Sequence, residues 1–132
     1  MSDLLLDTCA LLWLAEGTEL DADARKAIAD GNLRVSPISV WEIANLVRKR
    51  RIVLAMPVVK WVRQTLEKTE AALSGLPIEI LAGSCELPGS PPSDPADRII
   101  IATARESSMI LMTRDKDILS YSRGGYVRTM AC

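Results

Sequence analysis

"DLLLDTCALLWLAEG", residues 3–17, changes its periodicity partway along. Leu4 to Leu6 make an unbroken apolar run that stops at Asp7, the pattern of a strand buried on both faces. From Thr8 the chain reads as a helix, with a hydroxyl residue near its start and Gly17 past its end. The same switch recurs downstream. "LDADARKAIADG" (20–31) is a helix with Asp21 as N-cap and Gly31 as its stop. "LRVS" (33–36) is a short strand. "PISVWEIANLVRKRR" (37–51) is a helix whose apolar positions Val40, Ile43, Ala44 and Val47 form a core stripe. A helix is expected from Pro57 to Thr69, a strand in "LPIEIL" (76–81) and a short helical piece in "AGSCEL" (82–87). "ELPGSPPSDP" (86–95) is a loop dense in Pro, Gly and Ser. "DPADRIIIATARES" (94–107) is a helix, "MILMT" (109–113) a strand, "RDKDILSY" (114–121) a short helical turn and "YVRTM" (126–130) a last strand. Alternating strands and helices predict α/β layers around a mainly parallel sheet. One domain spanning residues 1–132 suits the length, and no interdomain linker is apparent.

The chain has 132 residues, 48% of them hydrophobic, and a formal net charge of −1. It is not a generally basic nucleic-acid binder, so any such contact must use a local patch. Histidine is absent. That removes Ser-His-Asp and Cys-His catalysis and imidazole-ligated zinc, and leaves an enzyme carboxylates and a hard metal ion to work with. Cys9, Cys85 and Cys132 are widely spaced and form no CxxC pair, which argues against a zinc site or disulfide framework and for a reducing cytoplasm. No apolar run approaches the roughly 20 residues that span a bilayer, and the N-terminus lacks the basic n-region of a signal peptide.

In open α/β sheets, ligand sites lie beyond the carboxyl ends of the strands. Asp7 ends the first strand there, and Asp115 follows "ILMTR". Glu42 lies in the helix after "LRVS", and Asp97 in the first turn of the helix after the Pro-rich loop. Each has an ordinary structural reading too. Strand-end aspartates turn chains. Glu42 falls on a polar helix line with Ser39, Asn45 and Lys49, separate from the core stripe. Asp94 before Pro95 is a natural N-cap, and Asp97 can bond back to it as in a capping box. The combination is more informative. Two like charges about 4 Å apart repel by roughly 4 kcal/mol at an effective dielectric near 20. Converging acids are therefore costly unless a divalent cation joins them. Such a site can activate water for attack on a phosphate without a histidine base.

"LLLDTCALLWL", "SPISVWEIANLVRKRRI", "DPADRIIIATARE" and "LMTRDKDIL" together resemble the PIN-domain ribonucleases, specifically the VapC toxins of bacterial VapBC toxin–antitoxin pairs. The ordered set covers nearly the whole chain. The resemblance implies a PIN-like α/β/α sandwich with a mainly parallel, roughly five-stranded sheet. It implies a toxin endoribonuclease dependent on Mg²⁺ or Mn²⁺. It also implies a homodimer, and inhibition by a cognate VapB-type antitoxin whose C-terminal segment covers the site. Position by position, Asp7 and Asp97 correspond to the main metal ligands, and Glu42 and Asp115 to supporting ones. Thr113 stands in the "TxD" position, where it bonds a carboxylate or a water on the metal. Asp94 is left as a cap.

Two departures stand out. The family often has histidine where this chain has Cys9, and another shortly before "DPADR" where this chain has "PPS". Neither removes an acid, and Cys9 is read as a packing residue. Arg48, Lys49, Arg50 and Arg51 form the local basic patch for RNA phosphates, although basic residues also suit a helix C-terminus. Trp13, Trp41 and Trp61 are read as core, dimer or antitoxin contacts. The alternative function is a non-catalytic PIN-like module that binds RNA or protein. A haloacid-dehalogenase-like phosphatase would need an acid at position 9, and a receiver domain would need better partners than Asp3 and Lys116.

Overall fold

A computed structural model describes residues 3–17 and 20–132; Met1 and Ser2, part of the N-terminal reading, lie outside them. The strands are β1 (Leu4–Leu6), β2 (Leu33–Val35), β3 (Ala72–Leu73), β4 (Ile110–Thr113) and β5 (Thr129–Ala131). They form one sheet in the order β3-β2-β1-β4-β5, and every pairing is parallel. The helices are α1 (Thr8–Glu16), α2 (Ala22–Asp30), α3 (Pro37–Arg48), α4 (Val58–Thr69), α5 (Ile78–Gly83), α6 (Pro95–Glu106) and α7 (Lys116–Ser122).

Strand alternation divides the core between the two faces. Leu4, Leu6 and Met112 belong to one cluster with Ala10, Leu11, Ala24 and Ile43. Leu5 and Leu111 belong to the other, with Ile100, Ile101, Ile118 and Tyr121. Successive residues of one strand thus feed opposite layers, which is why the central strands read as continuous apolar runs. Covering the sheet on both faces gives the expected α/β/α sandwich.

Three expectations need correction. "LPIEIL" is not a strand. Residues 78–83 form α5, started by Pro77, with Ile80 buried and Ile78 76% exposed. The edge position is already taken by Ala72–Leu73, which pairs with β2 directly after α4. "AGSCEL" accordingly holds the end of α5 and a following turn. The third correction concerns α3. Ile43 is buried, but Ala44 is exposed and Ser39, on the polar line, is fully buried. The helix packs against α1, α4 and α6, so the Ser39 end of its polar line faces neighbours, while Lys49 at the other end stays exposed.

The sheet order places a topological switch point between β1 and β4. From β1 the chain moves outward through β2 to β3, then returns to the opposite side of β1 with β4 and β5. Crevices open at such points, beyond the carboxyl ends of the strands.

Candidate metal centre

Asp7 and Asp115 flank the switch point at the ends of β1 and β4. Asp7 is the N-cap of α1: Oδ1 accepts a hydrogen bond from the Ala10 N–H at 2.7 Å. Its other oxygen accepts from the Thr113 hydroxyl at 2.5 Å. Thr113 Oγ1 also accepts from the Asp115 N–H at 2.9 Å. One fully buried hydroxyl thereby ties the ends of both central strands together. Burial raises the Asp7 pKa despite these two bonds, with a further push from the Asp115 charge. Asp115 itself caps α7, accepting from the Asp117 and Ile118 N–H groups at 2.9 and 3.0 Å.

Glu42 arrives from α3, which is started by Ser36 and Pro37 at the end of β2. The Thr8 hydroxyl donates to Glu42 Oε1 at 2.5 Å and lies 2.9 Å from the Ser39 hydroxyl. Thr8 has one hydrogen, so Ser39 supplies the hydrogen of the second contact. Burial raises the Glu42 pKa, the Thr8 bond opposes it, and Asp94 and Asp7 add to it.

Asp97 arrives from the first turn of α6. Asp94 caps that helix by accepting from the Asp97 N–H at 2.9 Å. Among the described residues, the return bond of a capping box from the Asp97 side chain is not made. Its carboxyl stays half-buried among acids, with a pKa pushed up to about 7. Burial is the largest cause, followed by the charges of Asp94, Asp115, Glu42 and Asp7.

Asp7, Glu42, Asp97 and Asp115 line one cleft of about 370 Å³, with Thr8, Cys9, Trp13 and Arg114. A larger hollow of about 550 Å³ between the Pro-rich loop and α7 has Asp117 as its one acid, so chemistry selects the smaller cleft. Carboxylate oxygens of Glu42, Asp94 and Asp97 also lie within 4.8 Å of one another. Asp94, the cap of α6, thus also stands close to Glu42 and Asp97. Glu42 and Asp97 belong to both groupings and join them.

An all-oxygen donor set, desolvated and mutually repelling, suits a hard divalent cation. Two ligands on Mg²⁺ stand at most about 4 Å apart, so Glu42, Asp94 and Asp97 fit with small adjustments or with waters between them, while Asp7 and Asp115 line the same cleft. No cleft carboxylate is ion-paired to a lysine or arginine among the described residues. Arg114 instead places its guanidinium carbon 4.2 Å from the centre of the Trp13 ring.

The other expected residues lie elsewhere. Arg48, Lys49, Arg50 and Arg51 are exposed at the far end of α3, and none lines the cleft. Arg48 donates to the Asn45 side chain at 3.3 and 3.2 Å. Six residues separate it from Glu42, about 9 Å along the helix. Cys9 is not a packed residue: it opens at the cleft rim, and partial burial with the surrounding acids pushes its thiol up to about 11. Trp61 is half-buried against the first core cluster, while Trp41 is 60% exposed. Thr8, Ser39 and Arg114 were missed as site residues. Ser39 carried a signal, standing one helical turn before Glu42. Arg114 sits inside the "TRD" motif, between Thr113 and Asp115.

A PIN-domain family model matches residues 4–124. The chain is 39% identical over 123 residues to Ribonuclease VapC22 of Mycobacterium tuberculosis, covering 92% of this chain and 93% of that one. Among solved structures it is similar to VapBC2 from Rickettsia felis bound to a DNA fragment from their promoter. That match has a TM-score of 0.72 and 14% identity and covers 98% of each chain. DNA-bound VapBC from Salmonella typhimurium matches with a TM-score of 0.68 and 14% identity, over 99% of this chain and 98% of that one. At such identities the structural likeness speaks to fold, and the sequence match carries the kinship. With that match running almost end to end over a sheet that gathers its acids at the switch point, the chain belongs to the PIN-domain family, among the VapC ribonucleases.

Proposed function

We infer that the protein is a toxin endoribonuclease of a toxin–antitoxin pair, hydrolysing RNA phosphodiesters at the acid-lined cleft. The observation that carries this reading is the meeting of Asp7, Glu42, Asp97 and Asp115 in one cleft, in a chain 39% identical to a named ribonuclease. Mg²⁺ or Mn²⁺ is the cofactor this donor set would hold. When bound, it supplies stabilisation of charge on the phosphate and a water nucleophile at neutral pH.

The chain's own residues have separable tasks. Asp7 and Asp97 are the main ligands, on rigid supports: a buried strand end and a proline-started helix. Thr113 fixes the Asp7 carboxylate, and Thr8 with Ser39 fixes Glu42. Glu42 and Asp115 support from the flanks. The raised Asp97 pKa means that a bound cation would compete with a proton at this carboxylate.

A VapB-type antitoxin is the proposed partner, in line with the VapBC assemblies of the Rickettsia and Salmonella structures. A homodimer rests on the family resemblance, and exposed Trp41, Ile78 and Leu81 offer apolar surface for either contact.

Cleavage of total bacterial RNA by purified protein tests the reading. Cleavage should require Mg²⁺ or Mn²⁺, stop with EDTA, and fall about 100-fold or more in Asp97→Asn. Equal cleavage by that variant defeats the site assignment. No cleavage by the wild type, together with no metal binding, favours a non-catalytic RNA- or protein-binding module.

A further inference from the structure

An RNA strand must bring its phosphates to a cleft walled by four acids. The metal offsets part of that repulsion. Of the residues lining the cleft, Arg114 is the cation. It has not collapsed onto the carboxylates beside it; its guanidinium stacks over Trp13 and lies near the Cys132 thiol. A guanidinium over an aromatic face keeps its five N–H donors in its own plane; one is used on the Cys132 thiol, which leaves others for a ligand. The fork they form matches two phosphate oxygens.

The support under this arrangement is rigid. Arg114 lies between Thr113, bonded to Asp7, and Asp115, the cap of α7. Trp13 is on α1, the helix that Asp7 caps. The arginine, its aromatic platform and the acids therefore share one frame. The expected basic run, Arg48 to Arg51, is outside the cleft lining.

We propose that Arg114, held on the face of Trp13, is the residue that takes a phosphate of the RNA strand at the cleft and positions it against the acids. This rests on the ribonuclease reading above. The competing role for Arg114 is screening of the acids, which needs its charge but not its shape.

The test is binding of a fluorescent, mixed-sequence single-stranded RNA in saturating Ca²⁺, with Mn²⁺ affinity and melting temperature measured on the same proteins. Arg114→Ala should weaken RNA binding about tenfold and flatten the log affinity against log salt slope by about 0.7, one single-strand phosphate contact. Arg114→Lys keeps the charge but loses the fork, and should still weaken binding several-fold. Trp13→Leu should produce a smaller loss with Arg114 intact. Mn²⁺ affinity should not fall in either arginine variant. Wild-type RNA affinity in Arg114→Lys overturns the proposal in favour of screening. RNA loss that merely parallels loss of Mn²⁺ affinity or of melting temperature overturns it in favour of a structural role. If the wild type neither binds nor cleaves RNA, the ribonuclease reading itself fails, an outcome distinct from both.

Discussion

Burial and the neighbouring carboxylates oppose the charge of Asp97 and push its pKa up. Its folded pKa of about 7 lies above the ordinary 3.8. The native state thus binds this proton more tightly than the unfolded chain does. Its contribution to stability is present at acid pH and is lost as pH rises through the folded value. In EDTA, wild type should lose melting temperature relative to Asp97→Asn between about pH 4 and 7. Saturating Mg²⁺ should remove most of that fall at neutral pH, since a ligand for the folded state at 100 times its Kd adds about 2.7 kcal/mol. Parallel curves for the two proteins would contradict this. Asp94 offers a second test. Alanine there removes a cap, costing about 1 kcal/mol, but also removes a like charge. Asparagine separates the two effects, because it caps as well as aspartate does. Asp94→Asn should therefore raise the metal-free melting temperature, and a lower one would show that Asp94 does not repel its neighbours. The cap role was legible from "SDPADR" alone. The acid grouping was not, because it depends on how close Glu42 comes from another helix.

At the scale of elements, the Pro-rich loop delivers α6 to the cleft, and its anchors are visible. The Tyr121 hydroxyl donates to the Pro88 carbonyl at 2.6 Å, and Arg98 Nε to the Pro92 carbonyl at 2.7 Å. Tyr126 stacks on Tyr121 with ring centres 4.9 Å apart. Gly89 and Gly124 leave room for that ring: a Cβ would stand 2.7 and 2.5 Å from its Cε2. Tyr121→Phe should cost about 1 kcal/mol in denaturant unfolding and weaken Mn²⁺ binding by loosening the approach to α6. Unchanged metal affinity would mean that α6 holds its place without the loop. The loop and α6 were readable because Pro, Gly and Ser cluster sharply before a helical apolar pattern. β3 and α5 were not. A two-residue edge strand has no period to detect, and "LPIEIL" alternates like a strand while Pro77 starts a helix. The polar line of α3 misled for a related reason. Local spacing shows which residues share a face, but only packing against α1 and α6 decides that Ser39 and Glu42 turn inward.

Across the whole molecule, the fold brings residues 7, 42, 97 and 115 to one cleft with no disulfide among its cysteines. Parallel order 3-2-1-4-5 puts the first and fourth strands side by side, so acids at opposite ends of the chain become neighbours. Asp7, Asp97 and Asp115 were legible because each follows a strand or sits in the first turn of a helix, whereas Glu42 lies mid-way along α3. The cation beside them was not, because Arg114 earns its place through a contact with Trp13 about a hundred residues away in sequence. The central claim is that these scattered acids form one cation site. A crystal grown with Mn²⁺ and examined by anomalous scattering tests it most directly. The account predicts a manganese peak in the cleft, ligated by Asp7 and Asp97, with Glu42 and Asp115 bound directly or through water. An empty cleft at saturating Mn²⁺, or a peak that leaves Asp7 and Asp97 uncoordinated, would contradict it.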